Sequence, residues 1–390
     1  MAEHNIAASR MRDIQPFHVM ALLAEARQRE AAGQDIIHME VGEPDFPTPL
    51  PIVEAGIRAL QMGYTKYTAA CGLPQLRAAI AGFYAERFGV DISPTRILIT
   101  PGASGALQLV LGALVNPGDE VLMTDPGYPC NRHFVRLFEG KATGIPVGAD
   151  TNYQLTPAHI QSHWSDATRA VLLASPANPT GTLLSQAELA AIHAVVKQRG
   201  GSLLVDEIYQ GLVYGVPDTT ALSVDPDNIW VINSFSKYFG MTGWRLGWVV
   251  APEAMVEMLD RLAQNIFLAA PTPAQYAALA AFTPQALDIM EMQRQELQRR
   301  RDFLLPALRE LGFVIQAEPQ GAFYVYAGSE RFGEDAQRLC LDMLDKTGVV
   351  FTPGIDFGSH QANSHVRFAY TTSVERLEQA VERLARHLLP

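Results

Sequence analysis

Residues 97–125 read ILITPGASGALQLVLGALVNPGDEVLMTD. A short apolar run (97–100) passes through Pro101 and a cluster of small residues into a helical stretch at 103–114. Pro117-Gly118 then turns the chain into a second apolar run, EVLMT (120–124). The alternation continues through KATGIPV (141–147), AVLLAS (170–175), SLLVDE (202–207), WVINSF (230–235) and LGWVVA (246–251). The helical pattern at 189–199 is announced by Ser185-x-x-Glu188, a capping box. Strands apolar on both faces and separated by helices predict an α/β fold. Its central sheet is mostly parallel, with helices on both faces.

Outward from this block the text changes. Upstream, the spacing predicts a helix over 17–32, with Met20, Leu23 and Ala24 on one face and Gly33 as the stop. An extended run at 36–41 empties into GEPDFPTPLP (42–51), whose four prolines forbid a regular element. Helices follow at 52–61 and 73–88. Downstream of Pro252 the reading is mainly helical to Glu310. Strands (FYVY, VVFT, VRFAY) then mix with helices, ending on Thr372-x-x-Glu375 and a helix over 374–387. The expected division is a large α/β domain over 49–281 and a smaller α+β domain built from both chain ends, 1–48 and 282–390.

Composition narrows the function. The 390 residues carry 30 Lys+Arg against 41 Asp+Glu, a net charge of −11, with no basic stripe, so a nucleic-acid partner is not expected. Hydrophobic residues make up 48% and charged ones 18%, so a large core is available. The apolar stretch near 103–115 is interrupted by Ser104, Gly105, Gln108 and Gly112 and is too short for a membrane span. MAEHNIAASRMRD has no apolar segment of a signal peptide, and three scattered cysteines make no disulfide framework. A soluble, cytoplasmic globular protein is expected, of a size that suits an enzyme.

In open α/β sheets ligands bind outside the carboxyl ends of the strands, so the residues there are the candidates. Gly102-Ala103-Ser104-Gly105 opens a helix and exposes backbone N–H groups, a phosphate cradle or simply a tight turn. Tyr128, between prolines, can stack on a planar ring or pack locally. Asn178 is held in SPANPTG (175–181). Asp206 and Glu207 close an apolar run, Ser234-Phe235-Ser236-Lys237 closes the next, and Arg245 precedes the last. An Asp206–Lys237 salt bridge would satisfy both groups, and Arg245 could be solvated. Together these ends supply what a planar, phosphorylated, cationic-ring aldehyde requires.

The segments VGEPDF, YTKYTAACGLPQLR, PGASGAL, DPGYP, SPANPTG, DEIY, SFSKYFGMTGWRLGW and VRFAY stand in an order that resembles the class I/II aminotransferases, pyridoxal-phosphate enzymes of fold type I. SFSK-x7-R, with DE-x-Y 31 residues upstream of the lysine, is the most specific part. The resemblance implies pyridoxal 5'-phosphate held by Lys237 as a Schiff base, with the lysine amine moving the proton at the substrate Cα. It further implies Asp206 on the ring nitrogen, Tyr209 and Asn178 on the ring phenolate oxygen, and Tyr128 on the ring face. Ala103, Ser104, Ser234, Ser236 and Arg245 would hold the phosphate, joined by Tyr67 from the neighbouring subunit of a homodimer. Arg367 would grip the substrate α-carboxylate under the segment containing Gly42, with Asn178 beside it. The phosphate loop departs from many relatives, which have a serine directly after the glycine. No lysine lies near Ser104, which argues against aspartate as donor, although another arginine could substitute.

The implied activity moves the amino group of an α-amino acid to a 2-oxo acid in ping-pong fashion. A C–S β-lyase of the same fold is the alternative, and a non-catalytic cofactor-binding module is a third. No G-x-G-x-x-G occurs, which sets aside a nicotinamide dehydrogenase. His159-x3-His163 has the spacing of a metal pair but no third ligand, so no metal is expected. Cys71 and Cys130 are read as small packing residues.

Overall fold

The computed structural model describes residues 7–14, 16 and 18–389. Phe17, where the sequence starts the first helix, and the opening six residues lie outside them. Seven strands form the central sheet: β1 (Ile97–Thr100), β2 (Glu120–Asp125), β3 (Lys141–Pro146), β4 (Thr168–Ala174), β5 (Ser202–Asp206), β6 (Ile229–Ser234) and β7 (Gly247–Val250). Their order is β1-β7-β6-β5-β4-β2-β3, and only β7 runs antiparallel to its neighbours. The predicted α/β class holds.

Alternation along the strands explains the two-sided cover. Leu98, Val121, Leu172, Leu204, Ile232 and Val249 pack on the helix Gly102–Leu114 through Leu107, Val110 and Leu111. Ile97, Ile99, Val171, Leu203, Val205 and Val231 point to the other face, among the residues of helices Pro74–Phe88 and Gln186–Gln198. The latter helix carries the expected capping box, with Ser185 and Glu188 exchanging both bonds. β3, at the sheet edge, is the exception, with Lys141 exposed.

Three details differ from the sequence reading. VVFT is not one strand. Val349–Val350 pairs in parallel with Ile37–His38, and β9 (Thr352–Pro353) joins β10 (His365–Ala369), which pairs in turn with β8 (Tyr324–Gly328). The last helix, Val374–Leu388, is capped by Ser373 rather than Thr372, because the Ser373 hydroxyl accepts from the Arg376 N–H. In the first helix, His18–Ala31, the core face is Val19, Leu22 and Ala26, while Met20 and Ala24 are exposed.

The proline-rich stretch forms no regular element over 39–49 and is pinned by side chains. Asp45 pairs with the buried Arg300 at 2.7 Å, and the Thr48 hydroxyl donates to Gly240 O at 2.6 Å. No helix among the described residues is long and apolar enough to cross a membrane.

Candidate active site

The carboxyl ends of β1, β2, β4, β5 and β6 lie along one edge of the sheet, and the chain enters β7 there after Arg245. Beyond this edge a cavity of about 400 Å³ is lined by six predicted residues: Gly42, Tyr128, Asn178, Tyr209, Lys237 and Arg367. They come from both ends of the chain and from its middle.

Asp206 is buried and Lys237 half-buried, and the salt bridge that would have satisfied them does not form. Lys237 Nζ donates to Gly42 O at 2.6 Å, while Asp206 accepts from the Ile208 N–H at 3.1 Å. Burial pushes the lysine down to about 8 and the aspartate up to about 7, with their mutual attraction a smaller influence on each. Glu43 opposes the shift on Lys237, whereas Arg367 and Arg245 add to it.

Arg367, on β10, is also buried and has no carboxylate partner among the described residues. Nη1 donates to Asn178 Oδ1 at 2.9 Å and Nη2 to Glu40 O at 2.6 Å, and Nε has no partner. Its guanidinium lies over the rings of Tyr324 (4.3 Å) and Phe357 (4.8 Å). A buried guanidinium held by neutral acceptors keeps its charge for an incoming anion.

The remaining predicted residues form a second group at the edge. The Ser234 hydroxyl donates to Ser236 Oγ at 2.9 Å and accepts from the Ser236 N–H at 3.0 Å. Gly102 sits at φ +71°, and a Cβ there would lie 2.7 Å from Arg245 Nη2. Gly247 has no room for a Cβ against the Ala103 N and the Gly102 carbonyl carbon, so β7 and the helix start touch backbone to backbone. The N-terminus carrying Ala103 and Ser104 therefore lies beside the Arg245 guanidinium, which is solvent-exposed as the alternative allowed.

Tyr67 is not brought to this cavity; it is 81% exposed. His159 completes a capping box with Thr156, and no group of three or more potential metal ligands occurs among the described residues. Burial raises the Cys71 and Cys130 thiols, which lowers their thiolate fraction.

The profile of the family described as aminotransferase class I and II matches residues 34–384. This chain belongs to the class I/II aminotransferases. The aminotransferase is 37% identical over 376 residues to the valine–pyruvate aminotransferase of Mycobacterium tuberculosis, covering 96% of this chain and 97% of that one. A crystal structure of an aminotransferase from Mycobacterium tuberculosis superposes with a TM-score of 0.95 at 37% identity, covering 98% and 99% of the two chains. The aspartate aminotransferase of Thermus thermophilus, solved with maleate, gives 0.92 at 32% identity over 97% and 99%.

Sequence reasoning missed several residues of this aminotransferase's cavity. Tyr324, read only as part of a strand, bonds the Tyr209 hydroxyl at 2.8 Å and lies 2.5 Å from where a Cβ on Gly42 would sit. Glu43 and Thr242 also line the cavity, as do Val19, Met20, Leu23 and Arg27 of the first helix. Met20 and Leu23 were legible as a helical face, but nothing in the sequence says what that face covers.

Proposed function

We propose that this aminotransferase moves the amino group of an α-amino acid to a 2-oxo acid with pyridoxal 5'-phosphate bound at Lys237. The observation that carries the reading is the pairing, in one cavity, of a half-buried lysine with a buried arginine that has no carboxylate partner among the described residues. The family implies the cofactor, and the residues fit it. A lone buried carboxylate, Asp206, suits a protonated ring nitrogen. A helix start beside Arg245, with Ser234 and Ser236, suits a phosphate. When bound, the cofactor supplies an aldehyde and an electron-accepting ring.

In this reading Asp206 holds the proton on the ring nitrogen. Tyr209 and Asn178 donate to the ring phenolate oxygen, and Tyr128 covers the ring face. Arg367 binds the substrate α-carboxylate through its Nε–H, with Gly42 and Asn178 at its sides. Lys237 Nζ, as a free amine, would take the proton from the substrate Cα and pass it to the cofactor's aldehyde carbon, the transfer that amino exchange requires. A lysine pushed down to about 8 exchanges that proton near neutral pH. The two substrates use the cavity in turn, a ping-pong order. The reading also includes the division at residues 49 and 281, and a homodimer in which Tyr67 reaches the partner's phosphate. Exposed Leu50, Ile57, Leu60 and Met62, close in sequence to Tyr67, support the dimer.

Purified protein mixed with single amino acids plus 2-oxoglutarate or pyruvate tests the reading. A stoichiometric new amino acid and conversion of the cofactor spectrum to its pyridoxamine form are expected. Ammonia and pyruvate released from cystathionine, with no amino transfer, would establish the C–S lyase instead. A Lys237→Ala protein with unchanged turnover would overturn both.

A further inference from the structure

The proposed reaction gives the substrate's α-carboxylate and Cα a place, and the inference about its side chain rests on that reading. The first helix supplies the unassigned wall of the cavity. Met20, Leu23 and Arg27 follow one another at three- and four-residue steps, on one helical face, with Val19 beside them. The helix is fixed in place, because its first N–H groups, of His18 and Val19, each donate to the Asp356 carboxylate at 2.8 Å. Val41 and Ile208 also line the cavity.

We infer that this helix forms the side-chain subsite and selects amino acids with apolar side chains, aliphatic or thioether, over dicarboxylic ones, with Met20 as a specificity-determining residue. A second substrate carboxylate would leave water against Val19, Met20, Leu23 and Ile208, and would share the lining with Glu43, a like charge. Lys237 and Arg367 are committed elsewhere. Arg27 is the remaining cation of the lining, and it is exposed, so water and salt screen whatever it attracts. Met20, by contrast, leaves 56% of its surface open, apolar area that an apolar side chain would cover.

The holoenzyme is assayed with leucine, methionine, alanine and aspartate, each with pyruvate (alanine with 2-oxoglutarate), and titrated calorimetrically with 4-methylpentanoate and succinate. Leucine or methionine is expected to exceed aspartate at least tenfold in kcat/KM, and 4-methylpentanoate to bind at least tenfold tighter than succinate. Equal or reversed preferences overturn the inference while leaving the aminotransferase reading intact, since an amino acid is still converted. Failure to convert any amino acid overturns both. Met20→Glu is expected to lower the leucine-to-alanine ratio of kcat/KM at least tenfold, and Met20→Ala about threefold. An unchanged ratio in a variant that retains the cofactor spectrum overturns the role of Met20.

Discussion

Asp206 and Lys237 show how a residue can be costly to the fold and still be kept. Asp206 closes an apolar strand and Lys237 follows another by three residues, so the first is carried into the interior and the second to a half-buried position, and neither has an ion-pair partner among the described residues. Asp206 is pushed from 3.8 up to about 7, so the folded protein binds more protons than the unfolded chain between those values. Its contribution to the stability of the cofactor-free protein therefore falls as pH rises from 4 to 7 and is flat above about 8. At about 1.4 kcal/mol per pKa unit, the full penalty is on the order of 4 kcal/mol. Asp206→Asn is thus expected to melt higher than the cofactor-free wild type at pH 8, by several degrees. The gap should close near pH 4, as scanning calorimetry across pH would show. A gap independent of pH would disprove the assignment. Lys237 behaves oppositely: depressed from 10.5 to about 8, it destabilises while charged, and that penalty is relieved as pH rises from 8 to 10.5. Because the neutral amine is the nucleophile, uptake of cofactor by the cofactor-free protein should accelerate about tenfold per pH unit below 8 and level above it. Stopped-flow absorbance between pH 6 and 9.5 measures this.

At the scale of elements, the cavity depends on close approaches of backbone to side chain. Gly42 lies where a Cβ would fall 2.5 Å from the Tyr324 hydroxyl oxygen, and Tyr324 is itself buried and bonded to Tyr209. A methyl group there cannot be absorbed by a rigid, close-packed neighbour. Gly42→Ala is expected to displace the 40–43 segment, whose carbonyls hold Arg367 and Lys237. An overpacking cost of about 1–3 kcal/mol, expressed in substrate binding, corresponds to a KM for the amino acid raised roughly fivefold to a hundredfold. Steady-state kinetics of the variant beside Gly82→Ala, where a Cβ meets nothing within 4 Å, separates this from a general effect of losing a glycine. The strand-to-helix alternation of residues 97–250 was legible because both faces of every inner strand are buried, which leaves a run of apolar letters. The split of VVFT into two strands was not, since a two-residue strand has too little period to read.

Across the whole molecule, one helix carries two apolar faces. Ile52, Gly56 and Ala59 of Leu50–Gln61 pack inward, while Leu50, Ile57 and Leu60 face water, shortly before the exposed Tyr67 in sequence. In the proposed dimer, a second copy of the chain covering that face would bring Tyr67 to the partner's phosphate. Sedimentation equilibrium is expected to give twice the 42.7 kDa of one chain. Ile57→Glu should shift the mass toward the monomer and weaken cofactor binding in parallel, since a buried unpaired carboxylate costs several kcal/mol. A monomeric wild type that still binds cofactor tightly would refute the shared site.

The chemistry-bearing residues at the strand ends could be found from the letters alone, because a charge that closes an apolar run is expensive and has to be explained locally. That rule exposed Asp206, Lys237 and Arg245 and, with the order of the motifs, the α/β sheet and the family. It could not find Tyr324, Glu43 or the cavity face of the first helix, nor show that Arg367 lacks a carboxylate partner among the described residues. Those facts depend on contacts between residues hundreds of positions apart. Glu40 meets Arg367 only because Ile37–His38 lies beside Val349–Val350, and His18 meets Asp356 only because the two chain ends pack together. Local pattern reports what a residue costs its own strand or helix; which distant group compensates is decided by the packing of the whole chain.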